Sequence, residues 1–354
     1  MDNKKILEKV QMKIAISNVK EEDIVMKKSK LNIGRKVGIA ACILLSTTGI
    51  VFATNQIINM FGKNSSDGVQ TAINNDYYSQ INTEYKESNG ISTSIESFLI
   101  DDDNFDMIIK IEFDDNYNLS QMLSDNGRID IMDLKVVNEK GEKVFATHEL
   151  QSEEMTSLYK TEQEARENYD AYKGGYGVTS EKINDNTIKL CLTATGNPDK
   201  FPESKKLMVT FNRIVRKYYK NDELKYDTYN GEWSYEIDVP SKMTKSNITE
   251  YKLVSISDKN YKFEGARVSN TAFKIYLSNC NGIDFNDNEC VETSDGNKFY
   301  PAHRNDGDGS ISVNESGIVS YYQTFNLTNF DATDTLKVHL FKANGEEIIV
   351  ELEK

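Results

Sequence analysis

The chain of 354 residues is short of the groups that usually carry enzyme chemistry. It has three histidines, four cysteines and one tryptophan. No GxSxG, HExxH or phosphate-loop motif occurs. No CxxC pair or His/Cys cluster exists either, which argues against a zinc site of the usual spacing. His148, His303 and His339 have no Ser, Cys or acid at a catalytic spacing. With 56 Asp and Glu, carboxylate pairs are everywhere and none singles out hydrolase chemistry. No group converges on a site, so an enzyme is not expected. Net basic charge is lacking too. Against those 56 acids stand 42 Lys and Arg, a net of −14. An acidic surface argues against nucleic acid as a partner, since phosphate neutralisation needs a basic face.

The few cysteines divide by context. Cys42 lies in an apolar run and Cys191 in the strand-like IKLCLTA. Cys280 and Cys290 are the one pair that a disulfide could join, across NGIDFNDNE. An exported protein permits that bond, but nearness in the chain does not require it, and both states stay open.

What the chain does have is one long apolar run, Val37–Ala53, without a charge over 17 residues and directly preceded by Arg35 and Lys36. Ile57, Ile58, Met60 and Phe61 extend it. This length lies at the short end for a membrane-spanning helix, and we expect one over 37–61. Residues 1–36 hold ten Lys or Arg and five Asp or Glu, a net of +5, which leaves −19 for the remainder. Basic flanks stay on the cytoplasmic side. The expected protein is therefore a single-pass protein of the cell membrane, with its N-terminus cytoplasmic and its C-terminus extracytoplasmic. A second reading stands beside this one. Val51 and Ala53 occupy the −3 and −1 positions of a signal-peptidase site before Thr54, so the run could be removed instead.

Segment 1–36 reads as a short, basic, amphipathic cytoplasmic segment. Ile6, Leu7, Val10 and Ile14 recur near helical spacing. Such a stripe suits either the inner membrane surface or a partner protein. Residues 62–75 (GKNSSDGVQTAINN begins there) read as a polar linker. Beyond it the periodicity changes to two. Ile91–Ser97 alternates, Asp101–Asn104 (DDDN) reads as a hairpin turn, and Phe105–Phe113 reads as the returning strand. In Glu232–Val239, Trp233, Tyr235, Ile237 and Val239 share one face, as in a half-buried strand. Ser152–Tyr172, rich in Glu and Tyr and without Gly or Pro, reads as one exposed helix. Pro240–Asn247 separates a first β domain, 76–240, from a second, 248–354. Many short strands with turn signals between them indicate sandwiches. The expected fold is mainly β, with one N-terminal transmembrane helix followed by two sandwich domains and the exposed helix inserted in the first.

One metal candidate exists. Over Arg304–Glu315, Asp306, Asp308 and Glu315 fall at positions 3, 5 and 12 of an EF-hand loop. Arg304 stands where the first carboxylate belongs, so a solvated loop competes with a weak calcium site. No other cofactor is expected. The tyrosines, nineteen in all, suit partly exposed strands as well as a stacking surface.

Several segments together resemble a known family. They are the basic N-terminus, the run ending GIVFATNQI, the pair GISTSIESFLIDDDNFDMIIKIEF and the strand GEWSYEIDV. All resemble the Gram-positive domain of unknown function 4179 family, which is anti-sigma-factor-like. DGNKFYPAH followed by YYQTFNLTNFDATDTLKVHLF resembles the companion module that often follows it. The resemblance implies immunoglobulin-like extracytoplasmic domains on a membrane-anchored signalling regulator. It also implies an extracytoplasmic-function sigma factor as cytoplasmic partner and an envelope ligand outside. Some 36 residues cannot hold a full sigma-clamping domain, so Ile6, Leu7, Val10 and Ile14 are the partner-binding candidates. The alternative is an envelope binding or scaffold protein with no transcriptional role.

Overall fold

A computed structural model describes residues 60–61, 65–124, 126–146, 175–196, 200–221, 223–302 and 309–354. The chain divides into Met1–Thr54 and Asn55–Lys354, and all described residues belong to the second unit.

The fold class needs correction. Among the described residues, no helix is long and apolar enough to cross a membrane. The expected span lies outside them, except for Met60 and Phe61. These two are buried in the core of the first β region, with Phe61 fully out of water, so they serve that core. The linker is corrected as well, because Asp67–Asn74 is a helix, α1. Ser66 caps it, its hydroxyl accepting from Val69 N at 3.3 Å. Val69, Ala72 and Ile73 then fall on one buried stripe. The other described helix is the single turn Leu119–Met122, α2. The expected helix over 152–172 lies outside the described residues.

The first β region holds two sheets. One has the order β1-β3-β4-β9-β8, built from Ser79–Gln80, Ile91–Ile100, Asn104–Phe113, Thr187–Thr195 and Tyr176–Lys182, with β2 (Lys86–Ser88) also on β3. The other has the order β11-β10-β6-β7, built from Glu223–Asp238, Lys206–Lys220, Lys135–Asn138 and Lys143–Ala146, with β5 (Arg128–Met132) also on β10. Apolar side chains of both sheets fill one core, among them Ile95, Ile109, Leu190, Val209, Phe211 and Trp233. Trp233 stacks on Phe211 at 5.2 Å and donates Nε1–H to Ile91 O at 3.2 Å. Tyr235 donates to Thr93 O at 2.6 Å, so the alternating face of β11 is fastened to the opposite sheet.

The second β region forms one continuous sheet path, β17-β16-β20-β21-β12-β13-β14-β19-β18. These strands are Lys298–Phe299, Cys290–Thr293, Thr335–Lys342, Glu347–Glu353, Thr249–Ile256, Lys262–Val268, Phe273–Ser278, Val319–Phe325 and Gly309–Val313. β15 (Ile283–Asp284) also pairs with β20. β12 pairs with β13 over Thr249–Tyr251 and then, around a bulge, with β21 over Lys252–Ile256. It thereby passes from one layer of the sandwich to the other. Val268, Ile275, Tyr321, Val338, Leu340 and Val350 fill the core between the layers.

The two regions share one topology. β3-β4-β9-β8 corresponds strand for strand to β13-β14-β19-β18. β11-β10-β6-β7 corresponds to β21-β20-β16-β17, and β5 beside β10 corresponds to β15 beside β20. The chain thus carries one sandwich design twice. This is the strand order of the immunoglobulin arrangement, with β3-β4-β9-β8 following its A-B-E-D sheet and β11-β10-β6-β7 following G-F-C extended by a C′ strand. Here β3 with β4, and β13 with β14, are hairpins within one sheet.

Candidate functional site

The corresponding hairpins meet at their turns. In the first repeat, Asp101 N donates to Asn104 O at 3.0 Å, and Asp101 Oδ1 accepts from Asp103 N at 2.9 Å and Asn104 N at 2.8 Å. In the second, Ser269 N donates to Ala272 O at 2.7 Å, and Ser269 Oγ accepts from Thr271 N at 3.3 Å and Ala272 N at 3.1 Å. Asp and Ser do the same work at the first turn position, where a short side-chain oxygen can hold the N–H groups two and three residues on.

Turn docks on turn. Thr271 Oγ1 donates to Asp101 Oδ2 at 2.7 Å and accepts from Asn104 Nδ2 at 2.6 Å. Arg267 Nη2 donates to Asp103 Oδ1 at 2.9 Å, and Lys274 Nζ lies 3.2 Å from the same oxygen. Lys274 also donates to Gly196 O, while Gly196 N donates to Asp103 O at 2.9 Å. Helix α1 seals one side of this joint. A Cβ on Gly68 would sit 2.1 Å from Thr271 O, so only glycine allows that approach. Gly68 N donates to Asn326 Oδ1 at 3.2 Å, adding a contact to the second repeat. Tyr77 OH donates to Ile100 O at 3.1 Å beneath the first turn.

The joint is dry. Asp103 and Lys274 are 0% and 1% exposed, and Asp101, Asp102, Asn104 and Thr271 are buried. Burial and the neighbouring Asp103 push the Asp101 carboxyl up to about 6, against the pull of its hydrogen bonds. Burial, opposed by Ser246 and nearby cations, leaves Asp102 raised. Asp103 goes the other way. Its burial is outweighed by Lys274 and Arg267, which hold it below the usual carboxylate range. Two buried atoms of the joint, Asp103 Oδ2 and Arg267 Nε, have no hydrogen-bond partner among the described residues. A partly satisfied polar network in low dielectric is costly, so this joint is poised rather than slack.

The DDDN turn is where the sequence placed it. Its burial against Arg267, Thr271 and Lys274 was not legible, because those partners lie more than 160 positions downstream. The one available signal was that charged Arg267 and Lys274 stand inside strands flanked by apolar residues.

The other candidates fall elsewhere. Ile6, Leu7, Val10 and Ile14 lie outside the described residues, as do His148, His303, Asp306 and Asp308. Glu315 is exposed in the turn between β18 and β19. Gly309–Val313, the middle of the supposed calcium loop, is extended strand rather than a loop wound round an ion. Among the described residues, no group of three or more His, Cys, Asp or Glu could hold a metal ion. Cys280 and Cys290 are free thiols, so no disulfide joins them. His339 Nδ1 lies 2.7 Å from Glu347 Oε1 on the outer face of β20.

No family model matches the chain, and no curated protein matches it. A solved structure is similar over most of the chain. It is the crystal structure of the conserved domain protein from Bacillus anthracis, with 14% identity and a TM-score of 0.40, covering 78% of this chain and 89% of that one. Likeness at that level carries no argument about function.

Proposed function

We propose that this protein is a signalling regulator of the cell membrane, anti-sigma-factor-like, whose paired sandwiches form the extracytoplasmic sensing or binding region. In this reading the basic first 36 residues restrain a cytoplasmic sigma factor through Ile6, Leu7, Val10 and Ile14. The observation that carries the reading is the buried joint between the repeats. It makes them one mechanical unit, so an event on either repeat is felt by the other, which is what a sensing region needs. The charge asymmetry, +5 over residues 1–36 against −19 for the rest, supports the assignment of sides. The same rigid pairing favours a second reading, an envelope binding or scaffold protein that holds two modules in fixed relation.

Affinity capture of the intact protein from gently solubilised membranes, beside a version lacking residues 2–30, separates the two. A sigma factor recovered only with the intact chain supports the regulator. Identical captures with both versions support the scaffold.

A further inference from the structure

Charge balance in the joint is uneven. The first turn brings in Asp101, Asp102 and Asp103, and β13 and β14 bring in Arg267 and Lys274. Arg267 and Lys274 both engage Asp103, so among the described residues the Asp101 carboxylate has hydrogen bonds but no paired cation. Among the described residues, the other titratable and charged groups acting on the turn are Tyr77 from the segment after α1 and the exposed Lys200 from the segment after β9, the latter on Asp102. With Asp101 ionised, three carboxylates of one turn face the two buried cations Arg267 and Lys274. With Asp101 neutral, Asp102 and Asp103 balance Arg267 and Lys274.

The hydrogen-bond geometry can receive that proton without moving a heavy atom. Thr271 Oγ1 now gives its hydrogen to Asp101 Oδ2. A proton on Oδ2 would instead be given to Thr271 Oγ1. The hydroxyl hydrogen of Thr271 would turn toward Ser269 Oγ, 3.4 Å away, a long contact shared with the Thr271 and Ala272 N–H groups that this oxygen already accepts. Asn104 Nδ2 keeps its bond to Thr271 throughout.

We infer that the turn-on-turn joint is a proton-operated latch, which takes up one proton at Asp101 between neutral and mildly acidic pH and tightens the contact between the two repeats as it does so. The latch would give the sensing region proposed above a stimulus, external acidity, and its biological use rests on that reading. The latch itself does not. The sign follows from linkage. Asp101 has its carboxyl raised by folding, so its contribution is fully present below the ordinary carboxylate range and is lost as pH rises through about 6. Asp103 is lowered and acts oppositely, losing its contribution only below the ordinary range.

The test is amide hydrogen exchange of the purified full-length protein, corrected for the intrinsic pH dependence of exchange. Residues 101–104 and 269–272 are followed between pH 7 and pH 5. Protection of both turns is expected to rise about tenfold on acidification, the ratio that linkage gives for this shift. In Asp101→Asn, which removes the titrating group, the rise should shrink to what the raised Asp102 alone contributes. In Lys274→Met, which removes a cation, the wild-type midpoint should move to higher pH. Equal pH responses in wild type and Asp101→Asn would overturn the latch. So would an unmoved midpoint in Lys274→Met, or wild-type protection that does not change. Because the readout is local exchange in the isolated protein, failure of the regulator reading would leave these outcomes untouched.

Discussion

Lys274 Nζ sits 3.2 Å from Asp103 Oδ1, with both side chains essentially out of water and each belonging to a different repeat. An ion pair of this kind gains little over a well-packed apolar pair, because two charges must be desolvated. Breaking it by halves is another matter. Lys274→Met should cost about 3–5 kcal/mol in denaturant unfolding, since it leaves Asp103 buried with only Arg267. Adding Asp103→Asn should recover a large part of that loss. Additive losses in the double variant would mean that the pair is not coupled.

Trp233 is the only tryptophan, and it is 1% exposed within the first repeat. Its emission should therefore be blue-shifted in the native state and report the first sandwich alone. Trp233→Ala should cost about 3–5 kcal/mol, the range for deleting a large buried aromatic side chain. Urea titration measures both quantities. A water-like emission maximum in the native protein would contradict the packing on Phe211.

Cys191, Cys280 and Cys290 are buried thiols, and burial pushes Cys191 up to about 12 and Cys280 up to about 11. None should react with a thiol reagent in the native state, and all three should react after unfolding. Mass spectrometry of non-reduced digests should show no peptide linking Cys280 to Cys290.

Glu289 lies 1% exposed, with Tyr321 Oη 3.1 Å from each of its carboxyl oxygens. Burial, only partly offset by Tyr321, pushes its carboxyl up to about 8. A raised carboxyl contributes stability that is lost as pH rises through its folded value. The folding equilibrium should thus weaken about tenfold between pH 7 and pH 9. Glu289→Gln should abolish that dependence, as read from urea midpoints at each pH. A wild-type slope retained in the variant would assign the dependence to another group.

Much of the strand content was legible in the sequence. The alternation of Trp233, Tyr235, Ile237 and Val239 has its physical source in the pleat, and all four side chains are buried. Pro240–Asn247 forms turns instead of strand between β11 and β12. Ile131–Val137 is one apolar-rich run in the sequence, but Asp133 adopts a positive φ of 57° and splits it into β5 and β6. β8 and β18 leave no mark in the sequence. Both are outermost strands with little burial, so no apolar alternation marks them. β9 is buried at every position, as a strand covered on both faces is, and shows no alternation either. α1 was hidden because its apolar stripe is only three residues set among Asp, Gln, Thr and Asn. The duplication was not legible, because it lies in which strand neighbours which. Two turns reading DDDN and SNTA do the same job with different atoms. The joint was illegible for the same reason, since it needs the fold to bring Asp103 to Lys274.

Through their buried joint the two repeats should unfold as one cooperative unit. Urea unfolding of the full-length protein tests it most directly, followed by Trp233 emission for the first repeat and by far-ultraviolet circular dichroism for both. The two curves should coincide in wild type and separate in Asp103→Ala with Thr271→Val, where the joint loses its ion pair and its shared hydroxyl. Two separate transitions already in wild type would contradict the claim.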